Sequence, residues 1–189
     1  MPDFSKIFQH KAYHRHFEGY VEERVTNAKG KTKIKRVYKG EYYRQNLSKV
    51  QYILLRAVYA AGMAAGIFLF VKGAAADLTS NYSIGVFAAE SVTGLLMLWS
   101  VVTFLNYLMM PRAMTIGDYR YIGPSFQKAL RNIVVGIAAV IIITVGYDLI
   151  FERRFSSADA VCILCFGVSC LIFAGMKFLE AHIEYQTVA

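Results

Sequence analysis

Four stretches of this chain, near Ile53–Val71, Ile84–Leu108, Ala129–Phe151 and Ala160–Leu179, are almost unbroken apolar sequence. A bilayer core about 30 Å thick takes about 20 such residues to cross as a helix, and each stretch has close to that length. The rest of the composition agrees. Of the 189 residues 56% are hydrophobic and 18% charged, less charge than the roughly 25% of an ordinary soluble domain.

Charge is distributed unevenly between the connections. The first 51 residues carry twelve Lys or Arg against five acids, and the segment between spans two and three adds Arg112, Arg120, Lys128 and Arg131 against Asp118. The other two connections are close to neutral: Lys72 stands against Asp77, and Arg153 and Arg154 against Asp148, Glu152 and Asp159. Cytosolic loops hold the excess of Lys and Arg, so both termini and the central loop are expected in the cytosol, with a plasma membrane as the expected location. A basic segment far longer than a signal peptide's leading region precedes the first apolar run, so no cleaved signal is expected.

The expected fold is therefore an all-α polytopic membrane protein: a four-helix antiparallel transmembrane bundle (residues 52–182) behind an N-terminal cytosolic arm (residues 1–51), with a short tail (residues 183–189). Within the arm, Phe4, Ile7 and Phe8 share one helical face, a pattern for an amphipathic helix on an anionic leaflet. Two β-prone runs, Tyr20–Thr26 and Thr32–Tyr38, flank the turn-forming "NAKGK" and predict a β-hairpin. Glu22 and Glu23 on the first strand face a second strand with Lys33, Lys35 and Arg36, so cross-strand pairing helps choose the register. A two-stranded hairpin alone is marginal in water. It must lean on the membrane, on the central loop or on another protein. Lys31, Lys33, Lys35 and Arg36 are accordingly the candidate contacts to a protein partner or to anionic lipid headgroups. Nucleic acid is not expected, because the basic charge lies where membrane topology already requires it.

Inside the spans, Gly62-xxx-Gly66 supplies small residues that let a second helix approach, from this chain or from another copy. Arg56 and Lys72 lie near opposite ends of span one, where long side chains can reach the headgroups. Glu90 follows the start of span two by about six residues, which at about 1.5 Å each sinks it about 9 Å into the apolar layer. At that depth a carboxylate is protonated, paired with Lys72 or Arg153, or turned to a wet cavity. Ser100, Thr103 and Asn106 follow at spacings of three and Thr144 lies in span three; hydrogen bonds between helices are the expected use.

All three cysteines lie in span four. Cys162, Cys165 and Ser169 fall at i, i+3, i+7, a small-residue stripe suited to close helix packing. The "CILC" at 162–165, at the outer start of a fourth helix with both termini inside, also resembles the vitamin K epoxide reductase-like family. That resemblance implies a thiol oxidoreductase acting on a quinone through Cys162 and Cys165. The family's second cysteine pair, in the loop after span one, has no counterpart in "GAAADLTSNYS".

Gly-rich phosphate loops, HExxH and GxSxG are all missing. No catalytic residue, metal site or cofactor is expected. The leading expectation is a non-catalytic membrane subunit or scaffold that docks a protein partner, or forms a homo-oligomer, through its arm and bundle. A small transporter or channel component using Glu90, and a membrane thiol oxidoreductase using Cys162 and Cys165, are the alternatives.

Overall fold

The computed structural model describes residues 18–26, 32–76, 78–152 and 156–188. The amphipathic helix expected around Phe4–Phe8, Lys31 in the hairpin turn, and Arg153 as a partner for Glu90 lie outside these residues. The protein is mostly helical, with four helices long and apolar enough to cross a membrane. They are α1 (Lys49–Ala74), α2 (Ile84–Met109), α3 (Ile116–Tyr147, prolonged by a π-turn over Asp148–Glu152) and α4 (Ser157–Ala181).

Local signals explain most of the helix ends. Ser48 and Gln51 form a reciprocal capping box at the start of α1, with Gln51 N donating to Ser48 Oγ at 3.2 Å and Ser48 N to Gln51 Oε1 at 2.9 Å. Ser156 and Asp159 do the same for α4, at 3.2 and 2.7 Å. Each box satisfies two of the N–H groups that a helix start leaves orphaned. At the other end of α1, the Asn81 amide of a short 3-10 turn (Thr79–Tyr82) donates to the carbonyls of Gly73, Ala74 and Ala76 at 3.3, 3.4 and 2.8 Å.

Helix α3 departs from the sequence reading. Its apolar run is read from near Ala129, yet the helix begins at Ile116 and carries Pro124 in its interior. Thr115 and Asp118 supply the start: Asp118 N donates to Thr115 Oγ1 at 3.3 Å, and the Thr115 hydroxyl donates to Asp118 Oδ2 at 3.0 Å. An interior proline costs one backbone hydrogen bond and crowds the carbonyl four residues back. The helix continues through it all the same.

The bundle interior follows one spacing. Buried positions are 59, 63, 66, 70 and 73 in α1; 86, 90, 93, 97, 100, 104 and 107 in α2; and 159, 162, 166, 169, 173, 176 and 180 in α4. Steps of three and four alternate, averaging 3.5 residues, the repeat that keeps a seam facing its neighbour in left-handed bundles. Helix α3 buries Phe126, Leu130, Ile133, Ile137, Val140 and Thr144 in the same rhythm. Opposite faces carry exposed Ile53, Leu54, Phe87, Leu95, Leu98, Val135, Ile142, Leu164 and Leu171. An apolar exterior around a partly polar seam is the arrangement that lipid, not water, stabilises.

Successive helices run antiparallel, and the α1–α4 pair is packed most closely. An ideal Cβ built on Gly66 would lie 2.7 Å from the Phe173 ring and one on Gly73 would lie 2.7 Å from the Phe166 ring. Ser169 Oγ donates to Gly66 O at 2.8 Å and Cys162 Sγ to Gly73 O at 3.4 Å. Glycines seven apart on α1 thus receive an aromatic ring and a small polar donor from residues seven apart on α4. Gly62 belongs to the same stripe, with its Cβ position 3.0 Å from Met176 Sδ.

The chain divides into two compact units, one of residues 47–109 and 124–183, which is the bundle, the other of residues 1–46, 110–123 and 184–189. The second unit is thus more than the expected arm. Strands β1 (Tyr20–Thr26) and β2 (Thr32–Tyr38) pair antiparallel with Glu22 opposite Arg36 and Glu23 opposite Lys35. A three-stranded sheet then draws on the arm, the central loop and the tail, in the order β4 (Ala113–Met114), β3 (Tyr42–Gln45), β5 (Tyr185–Val188). The segment expected as a plain tail is therefore a strand. Tyr119 stacks on Tyr43 at 4.6 Å and meets Tyr185 edge-on at 5.0 Å. The hairpin leans on the central loop, since Ile116 N donates to Tyr38 Oη at 3.0 Å and Arg120 pairs with Glu18 at 2.9 Å. Its closing backbone bond, Lys39 N to Gly19 O at 2.8 Å, needs a residue with φ of +84° at position 19, which only glycine adopts freely.

Candidate functional site

The buried acids of the bundle lie toward its two ends, Glu90, Asp148 and Asp159 at one and Glu180 at the other. One end, here called proximal, is where α1 begins and α4 finishes; the distal end holds the connections around Asn81 and Ser156.

At the distal end, Glu90 sits on the buried face of α2 with 8% of its surface exposed. Among the described residues its Oε1 meets no hydrogen-bond donor. Pairing with Lys72, one of the outcomes expected for an acid at this depth, is not what the bundle provides: Lys72 is exposed and its ammonium lies 5.9 Å from the centre of the Phe68 ring. The other buried polar groups of this end are Thr144 and Asp148 from α3 and its π-turn, Asp159 and Cys162 from α4, and Ser80 and Asn81 from the connection. Cys162 lies within electrostatic reach of Glu90, Cys165, Asp159 and Asp148. The Gly73 carbonyl joins the connection to this group by accepting from both Asn81 Nδ2 and Cys162 Sγ, at 3.3 and 3.4 Å.

The cysteines are all free thiols. Cys162 is buried and faces α1, Cys165 is half-buried, and Cys170 reaches toward Val134 O at 3.9 Å. Ser169 lies in the same α1–α4 contact as Cys162.

The proximal end holds a cluster the sequence reading missed. Glu180 Oε2 accepts from Tyr107 Oη at 2.8 Å and from Tyr59 Oη at 3.1 Å, joining α4 to α2 and α1. Gln127 of α3 donates to the Glu180 backbone carbonyl at 3.4 Å. Phe126 packs against both phenols, 4.8 Å from the ring of Tyr107 and 5.7 Å from that of Tyr59. Arg56 belongs to the same end. It was expected to reach outward to headgroups, but its guanidinium donates to the carbonyls of Leu108 and Tyr107 and lies 4.1 Å over the Tyr52 ring. The last carbonyls of a helix are orphaned and carry partial negative charge, so a nearby cation is drawn to them.

The mid-span polar residues divide between their own helix and a neighbour. Ser100 Oγ donates to Met97 O at 2.7 Å and reaches Met63 Sδ of α1 at 4.0 Å, while Thr103 Oγ1 donates to Ser100 O at 2.9 Å within α2. Asn106 is exposed on the outer face of that helix. Hydroxyls can satisfy themselves on their own helix backbone, and in a seam filled by aromatic rings that is the nearer acceptor.

In the β unit, Arg36 bonds to Glu22 at 3.1 Å and Lys39 to Glu23 at 2.7 Å. Glu23 thus reaches diagonally to Lys39 in place of Lys35 directly opposite. Lys35 is exposed, and Lys33 lies in β2.

No family model matches the chain, no curated protein matches it, and no solved structure matches its fold. Among the described residues no group of three or more His, Cys, Asp or Glu is placed to hold a metal ion.

Proposed function

We propose that this protein is a non-catalytic integral membrane subunit or scaffold whose bundle anchors a β-rich unit that docks a protein partner. The observation that carries the reading is the β1–β2 hairpin. Ile34 and Val21 on it are 64% and 46% exposed, and neither outer edge is paired with another strand among the described residues. Open edges flanked by apolar side chains are the surface that takes up an added strand from another chain. The excess of Lys and Arg in residues 1–51 and in the central loop favours placing this unit in the cytosol, with both termini, at a plasma membrane. Lys35 and Arg36 on the same hairpin suit acidic groups of a partner or of anionic lipid headgroups.

The bundle supports anchoring over conduction through one copy, because Phe70, Met97, Ile137, Phe166 and Phe173 fill the middle of the seam with apolar volume. Cys162, buried and bonded to Gly73, suits packing better than thiol exchange. The test is purification of the full chain in mild detergent, beside the variant carrying Val21→Asp and Ile34→Asp. A stoichiometric partner bound to the parent chain and lost from the variant, with both chains still inserted, is the expected result. Equal composition of the two preparations would count against the proposal.

A further inference from the structure

Among the described residues, four polar atoms at the distal end of the bundle are buried with no hydrogen-bond partner: Glu90 Oε1, Thr144 Oγ1, Ser80 Oγ and Asn81 Oδ1. Ser80 and Thr144 have no exposed surface at all, and Glu90 and Asn81 have 8% each. A buried polar group left unmatched costs about 1–3 kcal/mol, so several at one end of one small bundle call for something that satisfies them. These residues come from α2, α3 and the connection, and two of them are linked: Asn81 and Cys162 both donate to the Gly73 carbonyl, and Cys162 lies within electrostatic reach of Glu90.

Three carboxyl groups also share this end, and they differ in their surroundings. Asp159 is committed to the α4 cap through Ser156 N at 2.7 Å. Asp148 lies in the π-turn and is 1% exposed. Glu90 lies on the buried face of α2 within electrostatic reach of Cys162, and the α1 cation at this level, Lys72, is turned to the exterior. Holding a negative charge in an apolar layer, with no donor on Glu90 Oε1 among the described residues, is unfavourable through lost hydration.

We infer that Glu90 is a proton-binding residue, taking up and releasing a proton at the distal end of the bundle. A proton suits the site better than a metal ion, since among the described residues no trio of ligating side chains is assembled there. It also changes what Glu90 can do. An ionised carboxylate only accepts hydrogen bonds, whereas the acid form can also donate one. The binding step is the addition of one proton to one carboxylate oxygen, drawn from water at the distal face.

Infrared difference spectroscopy of the full chain in lipid vesicles, between acidic and alkaline pH, reads this directly through the carbonyl stretch of a protonated carboxyl. The expected result is a band that fades as pH rises, is lost in Glu90→Gln, survives Glu180→Gln, and is indifferent to sodium. Absence of such a band at every pH, or its persistence in Glu90→Gln, overturns the inference. A band that appears only when sodium is withdrawn overturns it in favour of a sodium ion. A measurement on the parent chain keeps the test independent of any variant's folding. Dicyclohexylcarbodiimide takes the acid proton on its nitrogen while the carboxyl oxygen adds to its central carbon, and the O-acylisourea rearranges to a stable N-acylurea found by mass spectrometry. Adduct formation on Glu90 that slows as pH rises supports the inference, and a rate that ignores pH overturns it.

Discussion

The ring of Phe173 lies where a side chain on residue 66 would have to go: an ideal Cβ on Gly66 falls 2.7 Å from two of its carbons. Phe166 bears the same relation to Gly73, one heptad along. These two contacts set the separation of α1 and α4, and the hydrogen bonds from Ser169 and Cys162 depend on it.

Gly66→Ala and Gly73→Ala should each therefore destabilise the bundle by about 1–3 kcal/mol through overpacking. Gly94→Ala is the contrasting case, since a Cβ there meets nothing within 4 Å. It should be neutral, or stabilising by up to about 1 kcal/mol from helix propensity. Reversible unfolding in mixed detergent micelles, read as the change in midpoint free energy, separates the two outcomes.

Tyr59 and Tyr107 both donate to one oxygen of Glu180, so their contributions are not independent. Tyr107→Phe and Tyr59→Phe should each cost about 1 kcal/mol, toward the upper range for membrane interhelical bonds. The double variant should differ from the sum of the singles by about 0.5 kcal/mol or more, because both bonds share an acceptor. A double-mutant cycle in the same unfolding assay gives the coupling, and strict additivity would remove the shared acceptor from the account.

Ser169→Ala removes the donor to Gly66 O and should cost only about 0.6 kcal/mol, the average for such bonds in membranes. The acceptor is a helix carbonyl already bonded along its own helix, so little is left unsatisfied. A loss as large as that of Gly66→Ala would mean that the hydroxyl, not the glycine, sets the helix separation.

In the β unit the hydrogen bond and charge of Lys39 hold the Glu23 carboxyl below the usual carboxylate range, with a smaller contribution from Lys35. A lowered pKa in the folded state means the contact contributes above the ordinary carboxylate value and is lost as pH falls through the folded value. The Glu23–Lys39 contact should thus loosen on acidification and be unaffected between neutral and alkaline pH, short of lysine deprotonation. Carboxyl-carbon NMR of selectively labelled protein follows this, and Lys39→Met should move the Glu23 midpoint upward.

Much of the architecture was legible in the sequence because it rests on local rules. Apolar length marked the four helices, and β-prone runs around a glycine turn marked β1 and β2. What escaped depends on partners distant in the chain. Glu180 follows the end of the last apolar run, where an acid reads as a headgroup-level residue; only Tyr59 and Tyr107 from other helices make it interior. The seam spacing contained the signal, since 166, 169, 173, 176 and 180 continue one rhythm. Strands β3, β4 and β5 have four, two and four residues and pair across separations too long for any pattern in one segment to reveal. Arg56 turned inward for the same reason: its acceptors, the final carbonyls of α2, are half a hundred residues away.

The central claim, that the exposed hairpin is the docking surface of a membrane-anchored subunit, is tested most directly by photo-crosslinking in cells. A photoreactive residue at position 34 is compared with one at position 98 on the outer face of α2. A discrete protein adduct from position 34 that grows with expression of one polypeptide, and none from position 98, is the predicted result. No adduct from position 34, or the same adducts from both positions, would contradict it.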